Sequence, residues 1–281
     1  MSKPLNSEFQ VANRTEPVTV GAFANKIAVV TGGSSGIGRA ISLSLAAQGA
    51  MLCLVGRKLE TLNAVAKKAR ATASGVLSYP TDLTLDEDIE ELTSRLQEDF
   101  EYIDMLIHSA GVISPGRIEA APIHDLDWQY RTNVRAPYVL TQALLPMLRA
   151  CRGQIVFMNS TVGLNANANV GQYAATKHAL KALADTLRAE VNADGVRVLS
   201  VFLGRTATPM QAAVHQMERA TYHPERLMQP EDVAAVVINA MSLPRTAEVT
   251  DISIRPMSKS CPAEGLATAI PASFLRLSST T

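Results

Sequence analysis

The sequence predicts an α/β fold in which a parallel sheet is covered by helices on both faces. Two observations predict it. Short apolar runs alternate with segments of helical periodicity from residue 26 to residue 254. The runs are continuously apolar, as strands buried on both faces are, and lack the in-out alternation of a half-exposed strand. No composition shift or internal repeat divides this stretch. One domain over residues 26–256 is therefore expected, between an N-terminal arm (1–25) and a C-terminal tail (257–281).

Residues 26–31 (KIAVVT) form a buried strand that ends in glycines, and 37–48 have helical spacing that stops at Gly49. Residues 51–55 give the second strand and 59–71 a helix. A third strand at 76–79 leads to Asp82, a turn and cap residue, and to a helix over 86–100. The fourth strand, 103–108, ends in Ser109-Ala110-Gly111. A long helical stretch follows over 125–149, then a strand at 154–159, a helix at 172–192 and a strand at 196–202. Residues 204–229 show no clear period and contain Pro209 and Pro224. A helix over 231–241 begins after Pro230, and 251–254 form the last strand.

Composition narrows the function. Apolar residues make up 47% of 281, ample for a core, whereas 26 basic and 26 acidic residues cancel. No field of one sign is available to attract nucleic acid or a membrane surface. Three cysteines, Cys53, Cys151 and Cys261, form no CxxC pair, which argues against a disulfide framework or a thiolate metal site. The histidines show no metal-ligand spacing, so no metal is expected. No apolar run reaches the ~20 residues a membrane helix needs, and the first residues lack a secretory h-region. A cytoplasmic location is expected.

Thr31-Gly32-Gly33-Ser34-Ser35-Gly36-Ile37-Gly38 stands between the first strand and the first helix. Missing side chains let a backbone approach a pyrophosphate closely, and a helix start offers its unpaired N–H groups to the charge. The spacing differs by one residue from the GxGxxG dinucleotide pattern, and an ordinary glycine turn fits the same letters. After the second strand stands Gly56-Arg57, where a carboxylate would bind a ribose 2′-hydroxyl. An arginine there suits a 2′-phosphate, so NADP(H) is expected over NAD(H); a solvent-facing arginine at a helix start is the alternative.

Tyr173 and Lys177 are four apart on a helix and share a face. A phenol near its ordinary ~10 exchanges protons poorly at neutral pH. Lowering it by ~3 units takes about 4 kcal/mol, which a cation ~4 Å away supplies at an effective dielectric near ~20. Such pairs also occur on solvated helix faces. Ser160 adds context: it lies just past the fifth strand, where α/β sheets form their ligand crevice, and its hydroxyl can hold a substrate oxygen. A serine capping a local turn is the plainer reading. Asn133 stands four residues before Pro137, which has no N–H to return to the Asn133 carbonyl. That carbonyl is then free to hold a water, and a kink is expected.

These marks resemble the short-chain dehydrogenase/reductase family over roughly residues 26–255. TGGSSGIG is similar to its TGxxxGxG turn, Ser160, Tyr173 and Lys177 to its catalytic set, and Asp82 to its adenine contact. Ser109-Ala110-Gly111 takes the place of its NAG element, with His108 and Ser109 for the usual asparagines. Leu203-Gly204-Arg205-Thr206-Ala207-Thr208 takes the place of PGxxxT, with leucine for proline. The resemblance implies a Rossmann-like sheet of seven strands, and hydride transfer between a nicotinamide dinucleotide and a carbonyl or alcohol substrate. Asn133, Ser160, Tyr173 and Lys177 would be catalytic, and Asn133 would place a relay water for Lys177. Cofactor contacts would come from Gly32, Ser34, Ser35, Gly36, Ile37, Gly38, Arg57, Asp82, Leu83, Ala110, Gly111, Asn133, Tyr173, Lys177, Gly204, Thr206 and Thr208. A homotetramer or homodimer is implied as well.

Two other readings use the same letters. A non-catalytic dinucleotide sensor has no need of a proton donor, against which Ser160, Tyr173 and Lys177 count. An extended-type epimerase or dehydratase would carry a substrate domain, for which the segment after residue 202 is short. Substrate identity is not coded; its pocket is expected among residues 112–118, 161–170 and 205–228, with the Asn165–169 run either at its mouth or a plain polar turn. Trp128 is expected to pack, not to stack on a ligand.

Overall fold

The computed structural model describes residues 21–257. Seven strands, all parallel, lie in the order β3-β2-β1-β4-β5-β6-β7. They are β1 (Ile27–Thr31), β2 (Met51–Gly56), β3 (Gly75–Pro80), β4 (Met105–His108), β5 (Gln154–Ser160), β6 (Arg197–Leu203) and β7 (Asp251–Ile254). This is the doubly wound sheet that the alternating pattern predicts. Between β1 and β4 the strand order reverses direction, and the register pairs Thr31 with His108 at their common carboxyl end. A ligand crevice opens at such a switch point.

The helices divide between the faces. On one, α1 (Gly36–Ala47), α2 (Leu59–Ala69) and α8 (Pro230–Ser242) bury Ile41, Leu45, Leu62, Val65, Val233 and Val237 against Val30, Leu52 and Leu54. On the other, α3 (Asp86–Asp99), α5 (Ala136–Ala150) and α6 (Gly171–Val191) bury Ile89, Leu92, Leu140, Leu144 and Leu180 against Val29, Cys53, Val55 and Leu106. Successive strand residues thus serve opposite cores, which is why the runs carry no polar alternation. Cys53 is core packing, its thiol pushed up to about 12 by burial.

Two departures from expectation matter for the site. The expected 125–149 helix is α4 (Ile123–Tyr130), a π-helical turn (Arg131–Arg135) and α5, run together. Pro137 in the first turn of α5 cannot return an N–H, and the chain absorbs the loss by widening one turn. Residues 204–229 are not irregular: they hold α7 (Pro209–Met217), started by the Thr208 hydroxyl accepting from the Gln211 N–H at 3.2 Å, with Pro209 at its first position. Residues 1–20 of the expected arm, and 258–281 of the expected tail with Cys261, lie outside the described residues. Phe23, before β1, is buried. Among the described residues no helix is long and apolar enough to cross a membrane.

Candidate active site

The glycine turn leaves β1 with Gly32 at φ 66° and Gly36 at φ 49°, both left-handed conformations that side chains resist. At Gly32 a Cβ would also come within 2.9 Å of the Ala110 nitrogen, and at Gly38 it would collide with the Gly32 carbonyl. Three stretches therefore meet here: the turn, the start of α1 and the segment after β4. Thr31 fastens the last of these. Its hydroxyl accepts from the N–H groups of Ser109 and Ala110, both at 3.1 Å, and donates to the Ile107 carbonyl at 3.3 Å. The anchor is thus supplied from β1, where the sequence reading singled out the substituted residues His108 and Ser109. His108 is buried against Phe157, and its Nε2 lies 2.8 Å from the Thr141 hydroxyl; burial pushes it down to about 3, so it is a neutral packing group.

The turn floors a cavity of about 240 Å³ that takes in Ser34, Ser35, Ile37, Arg57, Asp82, Leu83, Ala110 and Gly111. Arg57 is exposed on its wall and makes no ion pair or side-chain hydrogen bond among the described residues. The Asp82 carboxylate accepts from the N–H and hydroxyl of Thr84, at 3.0 and 2.8 Å, so it shapes its turn while facing the cleft. Trp128, expected to pack, is instead part-exposed on this wall together with Thr132, whose buried hydroxyl has no partner among the described residues.

A second cavity, about 270 Å³, adjoins the first through Ile37, Ser109, Ala110, Gly111 and Thr208. Ser160, Tyr173 and Lys177 converge on it, and Gly204 and Thr206 line it as well. Ser160 ends β5; its hydroxyl accepts from the Val162 N–H and donates to the Leu203 carbonyl, each at 3.4 Å. Tyr173 lies in the first turn of α6. Lys177, one turn on, is 4% exposed and donates to the Met158 carbonyl at 3.0 Å. Its ammonium stands 5.7 Å from the centre of the Tyr173 ring.

The electrostatics correct one expectation. Withdrawal from water pushes the Tyr173 phenol up to about 12, against which a hydrogen bond with Ser160 acts downward. Burial likewise pushes Lys177 down to about 8. The sequence reading assigned Lys177 a charge strong enough to depress the phenol. Loss of water by the phenol is the dominant effect, and Lys177, its ammonium 5.7 Å from the ring centre, is not among the groups that hold the phenol down.

Asn133 sits inside the π-helical turn. Its side chain is committed: Oδ1 accepts from the Val112 N–H, while Nδ2 donates to the Val112 carbonyl, both at 2.8 Å, and to the Thr176 hydroxyl at 3.1 Å. It ties the segment after β4 to α6. A Cβ on Gly111 would lie 3.5 Å from Asn133 Oδ1 and 3.8 Å from Lys177 Nζ, ordinary contact distances that place this glycine beside both groups. These residues fit a dinucleotide: an unpaired arginine, a bare-backbone cradle and a buried ammonium lie along one continuous cleft.

Sequence reasoning missed Asn159, whose buried side chain donates to the Lys177 carbonyl at 3.1 Å and accepts from the Ser160 N–H at 2.8 Å. It placed residues 205–228 at the pocket without foreseeing a helix there: Met210, Gln211 and Val214 of α7, with Glu218 just beyond, line the cavity. The Thr-Pro pair at 208–209 was the available signal. Ile113, Thr161, Val162, Asn167 and Arg205, from the expected pocket segments, line this cavity too.

A family model described as short chain dehydrogenase matches residues 26–219. An uncharacterized oxidoreductase of Staphylococcus aureus strain USA300 is 32% identical over 236 residues, 84% of this chain and 99% of that one. Among solved structures, an alcohol dehydrogenase of Thermococcus sibiricus complexed with 5-hydroxy-NADP is 26% identical, with a TM-score of 0.77 over 84% of this chain and 99% of that one. An L-sorbose reductase of Gluconobacter frateurii complexed with NADPH and L-sorbose is also 26% identical, at a TM-score of 0.74 over 84% and 96%. With its sheet order, its glycine turn and these matches, the chain belongs to the short-chain dehydrogenase/reductase family of NAD(P)-dependent oxidoreductases.

Proposed function

We propose that the chain interconverts a small carbonyl compound and its alcohol, using NADP(H) in preference to NAD(H), with Tyr173 as the proton donor and acceptor. The observation that carries this reading is the convergence of Ser160, Tyr173 and Lys177 on a cavity continuous with the glycine-turn cleft. The turn, Ile37, Asp82, Leu83, Ala110, Gly111, Gly204, Thr206 and Thr208 would hold the dinucleotide, with Lys177 on the nicotinamide ribose. Arg57 would meet a 2′-phosphate, to which its unpaired guanidinium is matched. The complexes of the Thermococcus and Gluconobacter relatives with NADP-type cofactors support that preference.

When bound, the cofactor supplies or accepts the hydride at the substrate carbon. Tyr173 donates its phenolic proton to the substrate oxygen in reduction and recovers it in oxidation. The Ser160 hydroxyl aligns that oxygen and shares the charge that develops on it. Asn133, its side chain already occupied, would use its main-chain carbonyl to hold a water through which Lys177 exchanges protons with solvent. A sensor would not need this donor set, and only α7 and a short turn separate β6 from α8, too little for the substrate domain of an epimerase.

The same reading takes the protein as a cytoplasmic homodimer or homotetramer. A hollow of about 370 Å³ on the outer faces of α5 and α6, rimmed by Tyr138, Leu145, Leu183 and Leu187, supports self-association there. For the chemistry, Tyr173→Phe should abolish NADPH consumption across a panel of ketones and aldehydes while calorimetric NADPH binding persists. Undiminished turnover by that variant overturns the assignment.

A further inference from the structure

The family relationship leaves the substrate open, and the wall of its cavity carries a charge pattern that narrows it. Among the described residues, three charged side chains line this cavity: Lys177, Arg205 and Glu218. Lys177 is buried beside Tyr173, with its ammonium on a main-chain carbonyl. The other two meet each other. Arg205, in the loop after β6, donates from Nη1 to Glu218 Oε2 and from Nη2 to Oε1, both at 2.9 Å. This is a fork-on-fork pair, the geometry in which a guanidinium receives a carboxylate most strongly.

A third group steadies it. His215 Nδ1 lies 2.8 Å from the Gln211 carbonyl and 3.1 Å from the Gln211 side-chain nitrogen, and Nε2 faces Arg205 Nη1 at 3.5 Å. The guanidinium thus has Glu218 on one side and His215 on the other. Its side chain is 41% exposed and that of Glu218 30%, so the pair lies on the open wall and not in the core. The remainder of that wall is uncharged: Ile113, Val162, Met210 and Val214 are apolar, and Asn167 and Gln211 are neutral polar groups.

We propose that Glu218 is a specificity-determining residue: it fills the Arg205 fork, so that the cavity accepts neutral carbonyl and alcohol compounds and turns away carboxylates. A carboxylate brought to this wall would find the matching fork occupied and a like charge beside it. A neutral substrate meets apolar surface and amide groups and displaces nothing. The inference rests on reading this cavity as the substrate site. A pair that merely fastens α7 to the preceding loop would, on mutation, affect acidic and neutral substrates alike, so the acid-to-ester ratio separates the two roles.

The experiment uses the full chain with NADPH and compares benzoylformate with its ethyl ester. The wild type should favour the ester. Glu218→Gln should raise kcat/KM for the acid about tenfold through KM, as one freed charge-assisted contact allows, and leave the ester little changed. Arg205→Gln combined with Glu218→Gln should lose that gain. A wild-type preference for the acid, or a ratio unmoved by Glu218→Gln, overturns the proposal. Where neither compound turns over, calorimetry on NADP⁺-loaded protein decides with benzoate and benzamide. Benzoate binding by Glu218→Gln but not by wild type supports the proposal; no binding to the variant, or equal binding to both, overturns it. Absence of NADP⁺ binding, read before either probe is added, defeats the dinucleotide reading instead.

Discussion

The side-chain amide of Asn159 donates to the main-chain carbonyl of Lys177 across 3.1 Å, joining the end of β5 to the second turn of the helix that carries Tyr173. The same side chain accepts from the N–H of Ser160 at 2.8 Å. One buried amide therefore sets the separation between the residue that would align the substrate oxygen and those that would move its proton. Gly163 closes the arrangement, since a Cβ there would press to 2.7 Å from Asn159 Oδ1 and 2.9 Å from the Lys177 carbonyl.

Asn159→Ala should therefore cost both stability and rate. It leaves the buried Ser160 N–H without the Asn159 acceptor and takes from the Lys177 carbonyl the bond it accepts beside its own helix bond, a loss of about 1–3 kcal/mol that urea unfolding would measure. Because Ser160 and α6 lose their common tie, kcat should fall by more than the cofactor Kd rises. A variant with wild-type kcat and stability would remove Asn159 from this role.

Thr31 offers a cleaner separation of roles. Thr31→Val keeps shape and removes the acceptor used by Ser109 and Ala110. The Ala110 N–H then loses its acceptor and the Ser109 N–H keeps only the Ile107 carbonyl, 3.2 Å away, so a destabilisation of about 1–3 kcal/mol is expected together with weaker dinucleotide binding. Thr31→Ser retains the oxygen and should restore most of both. Calorimetric titration of the two variants with NADPH checks this, and equal affinities would refute it.

Most of the fold was legible because strands buried on both faces and helices of regular period write themselves into hydropathy. The glycine turn, Ser160, Tyr173 and Lys177 were legible because each sits at a strand end or on a helix face whose place follows from the alternation. Asn159 and Thr31 were not, since their letters are ordinary strand-end letters and the partners Lys177, Ser109 and Ala110 lie 18, 78 and 79 positions away. Nor was α7, whose nine residues carry too short a period to stand out, although its Thr-Pro start was in view. The phenol shift failed for a different reason. Spacing fixes how near a cation comes, but only the packed surroundings decide how much water both groups lose.

On the proposed reading Arg57 would set the cofactor preference by a single contact. Arg57→Ala should weaken NADPH binding about 10- to 100-fold, the range for a charge-assisted bond to phosphate, with NADH nearly unaffected. Direct titration with both dinucleotides measures it. Equal losses for the two would assign Arg57 a general electrostatic role and withdraw the preference.

The buried ammonium should also be visible in the pH dependence of stability. Lys177 falls from an ordinary 10.5 to about 8 on burial. Between those values the unfolded chain binds a proton that the folded chain does not, so this group makes stability rise with pH across that window. Over the whole interval the gain is about 3 kcal/mol. Tyr173 acts in the opposite sense, because its phenol rises from 10.0 to about 12. There the folded chain keeps a proton that the unfolded chain releases, and stability declines above the ordinary phenol value. The two contributions together favour a maximum near the point where the lysine has become neutral and the phenol has not ionised. Lys177→Met removes the rising limb and should also be no less stable than wild type near neutrality, since no charge is then buried. Urea midpoints for both proteins from neutral pH upward give the comparison. Parallel curves, with the same slope above about pH 8, would mean that Lys177 is not held in the dry environment described for it.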